Sequence, residues 1–484
     1  MHLTKSGYFL GQTCPRLLWF SRHDPIRSPT GSPAASIGSR VGSLARSLYP
    51  EGVLIREPPW ERDDAAATTA AAMASDRTTV LFEGAFSADG RHIRVDMLVR
   101  TPDDRWLLRE VKAAGDVKDD HVEDVAFQLD VLDRCGIGIR NAEVLHIDAS
   151  YVRDLSGLRL EGLFKAVDVT LDARARQTSV AAAADTLLNL LDLPAPPEVA
   201  MTRECRGCDY FGRCGAHLPE DWIGTLPRLT AKQYEALSGN GALAIRDLPD
   251  DAGLTGNQNR VRECWVTGED WVSPDLPGAL RGFGPPAFYL DFETMSPAIP
   301  VYPGTHPFER IPFQWSLHHL DATGTLEHDA FLADGRDDPR RAFATSLIEA
   351  LGRHDWPVIV YSPFERTTLG QLIAVLPDLR SSLDAIIDRL RDLLPVTRNY
   401  VYRRSFGGSY SIKAVAPALD PNLSYADLPG ISDGGAASEA FEVIASGGTS
   451  PAEIEQLRAA LLAYCERDTL ALVKVHAALR RAAS

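Results

Sequence analysis

The chain has 484 residues, 45% of them hydrophobic, and a formal net charge of −16 from 50 Lys and Arg against 66 Asp and Glu. This length predicts two or three domains, and the hydrophobic content excludes a disordered chain. The acidic balance argues against a simple basic nucleic-acid-binding surface, although a carboxylate site for divalent cations would itself add negative charge.

Three features of the sequence bear on its compartment. The first twenty residues carry Lys5 and Arg16 among polar residues and lack the apolar core of a signal peptide. No apolar run approaches the ~20 residues that span a bilayer. Seven cysteines, an odd number, favour a reducing compartment and metal binding over disulfides. We therefore expect a cytoplasmic protein without a membrane partner.

The composition divides the chain into three zones, residues 1–219, 220–286 and 287–484. Residues 25–40 and 434–450 are rich in small and polar residues, which predicts poor order. In the middle zone, a glycine-rich turn between two short helices suggests a helix-hairpin-helix that offers backbone N–H groups to phosphate. A plain connector explains the same segment equally well.

A predicted hairpin in the first zone carries two carboxylates. Residues 91–99 alternate between apolar and polar side chains, which is typical of a half-buried strand, and Asp96 lies on its polar face. Glu110 and Lys112 share one face of the next strand. A loop at residues 102–104 would set Asp96 opposite Glu110, with both side chains pointing the same way.

Phosphodiester hydrolysis is the chemistry that needs this arrangement. Two converging carboxylates bind Mg²⁺ or Mn²⁺ through oxygen, and a neighbouring lysine orients water or stabilises developing charge. With Gln128 on the helix that follows, Asp96 and Glu110-Val-Lys112 resemble the PD-(D/E)XK nucleases, particularly the RecB-like branch. The resemblance implies a restriction-endonuclease-like domain in which Asp96 and Glu110 bind metal and Lys112 and Gln128 act in catalysis.

This segment departs from the RecB-like pattern at two points. The family's helix usually reads Gln-x-x-x-Tyr, whereas Leu132 occupies the Tyr position here. A residue that an upstream helix usually supplies, often His, has no assigned counterpart. Glu83 is a further candidate ligand, and a salt-bridged surface strand is the competing interpretation.

The cysteines form a second motif around this segment. Cys205-x₂-Cys208-x₅-Cys214 follows it and Cys14 precedes it, which resembles the iron–sulfur-closed RecB-like nucleases, including those that act in CRISPR spacer acquisition. Residues 3–19 also resemble the start of that family. The resemblance implies four thiolates on a 4Fe–4S cluster, and a structural zinc at the same residues is the alternative. The remaining cysteines are expected in buried positions: Cys135, Cys264 and Cys465.

A strand at residues 287–294 opens the third zone and carries Asp291 and Glu293 on one face. Two same-side carboxylates on a buried strand repel each other unless a cation binds. Glu365 follows another short buried strand at residues 357–361. These acids are therefore candidate metal ligands.

The closing helix completes a second pattern, because it places Tyr464 and Asp468 four residues apart on one face. Together with the earlier acids this resembles the DEDD exonucleases of the RNase H-like fold. The resemblance implies that Tyr464 orients the attacking water and that four residues bind two metal ions: Asp291, Glu293, Glu365 and Asp468. Glu365 stands where the family usually has Asp, and Asp392 is an alternative ligand. A surface i,i+4 pair is the competing interpretation of Tyr464 and Asp468.

Residues 398–404 contain three arginines and two tyrosines, and Phe406, Tyr410 and Lys413 follow. Aromatic rings there could stack on bases while the arginines bind phosphates. An exposed edge strand with ordinary surface charges explains the segment equally well.

The order of the two motifs resembles a bacterial family that fuses these two nuclease domains, and the resemblance covers nearly the whole chain. We therefore expect an α/β protein that hydrolyses nucleic acid with Mg²⁺ or Mn²⁺, with single-stranded or end-containing DNA as its partner, in repair, recombination or defence. Two alternatives stay open. The first half could bind DNA while only the DEDD exonuclease cuts, or the enzyme could process RNA.

Overall fold

The computed structural model describes residues 2–26, 33–425, 428, 430–447 and 449–484. The chain is mixed α/β, as predicted, and divides into two compact units. One comprises residues 1–200 and 297–309, and the other comprises residues 201–296 and 310–484. Within the described ranges, no helix is both long and apolar enough to cross a bilayer.

The first unit is built on a seven-stranded mixed sheet. Its strands are β1 (Leu3–Thr4), β2 (Val53–Leu54), β3 (Val80–Ala88), β4 (Arg91–Arg100), β5 (Trp106–Lys112), β6 (Ile139–Ile147) and β7 (Phe164–Asp168). They run in the order β2-β3-β4-β5-β6-β7, and β1 pairs in parallel with the start of β4. The antiparallel β4–β5 pair aligns Met97 with Arg109, so this register carries Asp96 to Glu110.

Six helices accompany this sheet: α1 (Lys5–Thr13), α2 (Pro15–His23), α3 (Pro33–Arg46), α4 (Arg62–Met73), α5 (Asp119–Arg134) and α6 (Thr170–Leu191). Helix α5 connects β5 to the parallel strand β6. Its apolar residues recur at helical spacing, so Val125, Leu129 and Leu132 are fully buried in the core of the unit. That buried face fixes which side of α5 turns toward the strands.

The second unit contains a five-stranded sheet and a two-stranded sheet. Its strands are β8 (Trp271–Val272), β9 (Ala287–Met295), β10 (Ile311–Leu320), β11 (Leu326–Leu332), β12 (Val358–Val360), β13 (Leu390–Asp392) and β14 (Val401–Tyr402). The larger sheet has the order β11-β10-β9-β12-β13, and β14 pairs with β8. Strand β9 is central, antiparallel to β10 and parallel to β12.

The helices of the second unit are α7 (Phe211–Cys214), α8 (Ala231–Gly239), α9 (Gly256–Thr267), α10 (Leu276–Ala279), α11 (Arg340–Leu351), α12 (Phe364–Val375), α13 (Arg380–Arg389), α14 (Leu393–Tyr400), α15 (Ile412–Leu419), α16 (Gly434–Ser446) and α17 (Pro451–Ala482). The side chain of Ser450 caps α17 by accepting from the N–H of Glu453. Helix α17 packs against β9 and β10. The predicted long closing helix is confirmed.

Residues 201–286 pack as part of the second unit, and the predicted boundary at residue 219 lies inside it. Trp222 and Ile223 belong to the same buried cluster as Tyr289 on β9. The Tyr234 hydroxyl donates to the carbonyl of Met201 at 2.8 Å. The middle zone is therefore core-forming structure rather than a separate linker.

Two further segments differ from their sequence predictions. In the glycine-rich segment of the middle zone, α8 is followed by a single 3-10 turn at Ile245–Asp247, so the second helix of a hairpin is reduced to one turn. Residues 33–40 form the start of α3, so the expectation of poor order is wrong there. Residues 27–32 of that expectation lie outside the described residues.

The expectation of poor order at residues 434–450 is wrong as well, because Gly434–Ser446 form α16. Asp433 caps this helix by accepting from the N–H of Ala436 at 2.9 Å. Phe441 stacks on Phe313 of β10 with ring centroids 4.0 Å apart. Tertiary packing of two rings therefore orders a segment whose composition is typical of loops. Gly448 lies outside the described residues.

Candidate metal centres

In the first unit, two strands and a helix bring polar side chains together. Gln128 on α5 donates from Nε2 to Glu110 Oε2 at 2.7 Å and to Asp124 Oδ1 at 2.9 Å. The backbone N–H of Val111 donates to Asp96 Oδ2 at 2.7 Å. The structure thus places Asp96, Glu110 and Gln128, all selected from the sequence, in one cluster.

Two lysines contact the carboxylates of this cluster. Lys112 Nζ lies 2.9 Å from Glu110 Oε1 and also pairs with Asp124. Lys5 Nζ lies 2.7 Å from Glu110 Oε1 and 3.4 Å from Asp124 Oδ2. Lys5 starts α1, directly after the short strand that pairs with β4. Sequence reasoning gave Lys5 no role, because no local pattern connects it to Glu110.

The charges of this first centre nearly balance. Burial raises the pKa of Asp96 to about 8, and the charge of Glu110 adds to the shift. Burial likewise raises the pKa of Asp124 to about 6. Burial alone would raise the pKa of Glu110, but Lys5 and Lys112 outweigh it and hold that pKa below its ordinary value. Three carboxylates against two ammonium groups leave one formal negative charge.

Glu83, a candidate ligand, and Leu132, at the position where RecB-like nucleases have Tyr, lie at the edge of this centre. Glu83 lies within β3 with a φ of +56°, and its carboxylate is 3.4 Å from Arg46 and 3.8 Å from Arg94. The carboxylate of this candidate ligand therefore already pairs with two arginine side chains. Leu132 is fully buried in the apolar core, so no polar group stands at the family's Tyr position.

In the second unit, four carboxylates gather beside the central strand. Ligand atoms of Asp291, Glu293 and Cys465 lie within 4.8 Å of one another. Asp291, Glu365 and Asp468 line one cavity of about 530 Å³. Three of the four acids selected from the sequence therefore line one cavity, and the fourth, Glu293, lies next to Asp291 together with a thiol that was expected only to be buried.

The elements explain this convergence. Asp291 and Glu293 are two positions apart on β9, so both side chains leave the same face of the sheet. Helix α17 packs on β9 and brings Cys465 Sγ to 3.6 Å from Asp291 Oδ2. Glu365 lies in the first turn of α12, after β12, where the Ser362 hydroxyl donates to its Oε2 at 3.5 Å.

Mutual repulsion dominates the electrostatics of this second centre. Burial raises the pKa of Asp291 well above its ordinary value, and the charges of Asp468 and Glu293 add to the shift. Burial also raises the pKa values of Glu293 and Glu365 to about 8. The ammonium of Lys413 opposes the shift of Glu293. Four carboxylates facing this ammonium carry a repulsion that protonation or bound cations relieve.

Two tyrosines lie beside Asp468. The hydroxyl of Tyr425 donates to Asp468 Oδ1 at 2.7 Å. Burial raises the pKa of Tyr464, and the charge of Asp468 adds to the shift. Lys413 Nζ lies 5.0 Å from the ring centroid of Tyr464 and 5.7 Å from that of Tyr425. The helical spacing predicted the Tyr464–Asp468 pair. Tyr425 was missed because it lies outside any periodic element.

Asp392 holds a different position from the other acids. Its Oδ1 accepts from the N–H of Leu394 at 2.8 Å and so caps α14. Its charge contributes to the raised pKa of Glu365, which places it close to the cluster. Asp392 is thus a neighbour of the second centre whose hydrogen-bonding capacity is partly used by a helix cap.

The basic aromatic segment after residue 398 is neither a free stripe nor an exposed edge strand. It comprises the end of α14 and the short strand β14. Tyr402 and Phe406 are each 1% exposed, so neither ring can stack on a base. Arg398 and Tyr410, by contrast, line the carboxylate cavity. Of the predicted aromatic residues, Tyr410 is therefore the one that lines this cavity.

The predicted thiolate residues are distributed over both units. Cys14 joins α1 to α2. Cys205 lies in the 3-10 turn Arg203–Gly207 and Cys208 directly follows that turn, while Cys214 ends α7. Cys205 Sγ accepts from the N–H of Thr202 at 3.3 Å. Among the described side chains, the acids and thiol around β9 form the group whose ligand atoms lie within 4.8 Å. The four-thiolate site remains a prediction.

Part of the second centre lies in a stretch of the chain that matches a known sequence family. A family described as a domain of unknown function (DUF2779) matches residues 288–411, about a quarter of the chain. The matched stretch contains Asp291, Glu293 and Glu365 and ends before α17, which carries Asp468. No curated protein matches the chain.

Proposed function

We propose that the chain is a metal-dependent nuclease with two hydrolytic centres, of the PD-(D/E)XK type in the first unit and of the DEDD exonuclease type in the second. The proposal rests above all on the convergence of four acids beside β9: Asp291, Glu293, Glu365 and Asp468. Burying carboxylates together without cations costs folding free energy. The four acids offer oxygen ligands, which suit Mg²⁺ or Mn²⁺, and the Cys465 thiol lies beside them.

The residues of the second centre have distinct roles in this proposal. Divalent ions bound by the four acids would polarise the phosphate and activate water. Tyr464, one helical turn before Asp468 on α17, would orient the attacking water. Tyr425 holds the same carboxylate from another side. Lys413 supplies positive charge next to the phosphate, where charge develops during hydrolysis.

In the first centre, Asp96 and Glu110 would hold a cation. Gln128 fixes the Glu110 carboxylate, and its buried Oε1 has no hydrogen-bond partner in the described structure, so it is free to accept from a water. Lys112 lies where it can stabilise negative charge on the phosphate. With one formal negative charge before metal binds, this centre needs fewer cations than the second.

The proposed partner is nucleic acid, with single-stranded or end-containing DNA as the first choice and RNA as the alternative. Arg398 and Tyr410 support this choice, because a guanidinium and an aromatic ring line the carboxylate cavity. We also retain the 4Fe–4S cluster as a proposed cofactor of the predicted thiolates, with zinc as its alternative.

Separate substitutions test the two centres. Glu110→Ala and Asp291→Ala proteins are assayed with Mn²⁺ on single-stranded DNA and on RNA of the same sequence. Glu327→Ala is the matched control, because its carboxylate on β11 is 68% exposed. We expect each substitution to remove one hydrolytic activity, the double variant to remove both, and the control to cut like the wild type.

A second candidate function follows from the charge balance of the first centre. Lys5 and Lys112 neutralise Glu110 so far that this unit could bind DNA without cutting it. If Glu110→Ala leaves every cleavage product unchanged, the first unit is a binding module. If no divalent ion supports cleavage by the wild type, the nuclease proposal fails for both centres.

A further inference from the structure

The carboxylate cavity of the second unit continues into an adjoining groove. The cavity has a volume of about 530 Å³ and the groove about 350 Å³. They share four lining residues: Pro227, Arg228, Arg398 and Tyr410. A continuous surface therefore leads from Asp291 past Arg398 to Thr255, which precedes α9.

This surface carries guanidinium groups that have no carboxylate partner at salt-bridge distance among the described residues. Arg206, Arg228 and Arg398 line the cavity, and across the described ranges none of them forms a salt bridge with a carboxylate. Other arginines of the same unit are paired: Arg246 with Asp221 and Arg341 with Asp378. Unpaired guanidinium groups beside a metal-binding carboxylate cluster suit the phosphates of a nucleic acid strand.

Tyr410 gives the same surface an aromatic group. Its ring makes edge contacts with Tyr402 and Phe406, at centroid distances of 6.2 Å and 6.3 Å. Those two rings are buried, so they hold Tyr410 in place while its side chain lines both the cavity and the groove. A fixed ring between phosphate-binding groups is the usual platform for a stacked base.

Arg206 connects this surface to the cysteine motif, since it lies between Cys205 and Cys208. Its Nη2 donates to the carbonyl of Gly407 at 2.5 Å. Gly408, with a φ of +74°, packs so closely on Thr225 that a Cβ atom would lie 1.6 Å from its carbonyl oxygen. The cysteine turn, the segment before Arg228 and the loop before Tyr410 thus form one wall.

We infer that this groove binds the single strand whose terminal phosphodiester lies at the second centre, and that the cysteine turn forms part of its wall through Arg206. Arg228 and Arg398 bind phosphates and Tyr410 stacks on a base. The inference rests on the proposed function of the second centre and names its substrate class, a single-stranded nucleic acid. DNA and RNA share the groups recognised here, namely phosphates and base faces.

Kinetics on oligonucleotides of graded length test the groove. The full chain carries Glu110→Ala to silence the first centre, and thymidylate and uridylate oligomers of increasing length are the substrates. For Arg206→Gln, Arg228→Gln and Arg398→Gln we expect the KM of long oligomers to rise about five- to twentyfold. The effect on KM should be smaller for a dinucleotide, and kcat should change less than KM. Arg398→Lys should restore most of the loss.

Arg336→Gln is the matched control, because its side chain is 86% exposed and lies in neither lining. A second readout needs no hydrolysis: binding of a fluorescent single strand to the Asp291→Ala protein at several salt concentrations. Each arginine variant should reduce the slope of log Kd against log salt by about 0.7. The series, thymidylate or uridylate, whose KM rises more in the arginine variants indicates whether DNA or RNA is the substrate.

The outcomes separate the two proposals. Arginine variants that match Arg336→Gln in both KM and salt slope overturn the groove, even if Asp291→Ala abolishes hydrolysis. A blunt duplex is tested in the same binding assay. If the arginine substitutions weaken binding of the duplex as much as binding of the single strand, the single-strand assignment is overturned. If the arginine variants reduce the salt slope but the wild-type protein hydrolyses no nucleic acid with any divalent ion, the groove is supported and the nuclease proposal is overturned.

Discussion

Lys5 and Glu110 form an ion pair with an Nζ–Oε1 distance of 2.7 Å, although 105 positions separate them in the sequence. The side chain of Glu110 is 2% exposed and that of Lys5 is 27% exposed. Such a buried carboxylate keeps its charge because Lys5 and Lys112 both contact it. Lys5 therefore helps to hold the proposed metal ligand in its ionised form.

Replacing Lys5 should destabilise the first unit. Lys5→Met leaves Glu110 and Asp124 with one ammonium group, and we expect the free energy of unfolding to fall by about 2 kcal/mol. This is below the usual loss for a broken buried pair, because Lys112 remains and Lys5 is partly exposed. Urea denaturation measures the change, with the exposed Lys165→Met as control. A loss no larger than that of the control would contradict a stabilising role for Lys5.

The Lys5 contact also shows where sequence reasoning ends. Asp96 and Glu110 could be paired from the sequence because a short loop joins their strands, and strand periodicity then fixes their common side. Asp291 and Glu293 follow the same rule on β9. Lys5 and Tyr425 reach their partners only through tertiary packing, and no local spacing encodes that packing.

The same distinction explains the errors in segmentation. Residues 220–286 contain many glycines and prolines, which indicate a linker by composition, yet Trp222 and Tyr234 pack into the core of the second unit. Small residues likewise indicated poor order in the segment that forms α16, where Phe441 supplies the packing. Composition reports local preference, and a few buried aromatic contacts override it.

Tyr425 should contribute to turnover at the second centre. Tyr425→Phe removes the hydroxyl that donates to Asp468 at 2.7 Å and keeps the aromatic ring. Since a hydrogen bond to a charged group contributes about 1.5–3 kcal/mol, we expect kcat to fall about tenfold or more. Single-turnover hydrolysis in the Glu110→Ala background measures this. Tyr400→Phe, at the end of α14, is the control, and equal rates for the two variants would refute the role.

The raised pKa values predict how stability depends on pH. Glu293 and Glu365 have an ordinary pKa of 4.5 and a folded pKa of about 8. Between these values the folded state binds more protons than the unfolded state, so the metal-free protein should lose stability as pH rises from about 5 to about 8. Thermal unfolding in a chelator measures this loss. Glu293→Gln should flatten the dependence, and an unchanged slope in that variant would contradict the assignment.

Divalent cations should reverse the same trend. Protons and cations compete for the acids of the second centre, so Mn²⁺ should raise the melting temperature more at pH 8 than at pH 6. Asp291→Asn should remove most of this gain, while Glu327→Gln on β11 should keep it. A gain independent of pH in the wild type would show that the cation binds elsewhere.

The thiolate motif predicts bound iron that depends on Cys208. Protein purified without oxygen should be brown and contain about four irons per chain if the motif holds a 4Fe–4S cluster. Cys208→Ser should lose the iron, whereas Cys135→Ser should keep it, since the Cys135 thiol donates to the carbonyl of Ser87 at 3.6 Å. If the protein instead contains about one zinc per chain, and Cys208→Ser loses it, the cofactor is a structural zinc and not a cluster. Wild-type protein without either metal would leave these cysteines as free thiols and remove the cofactor from the proposal.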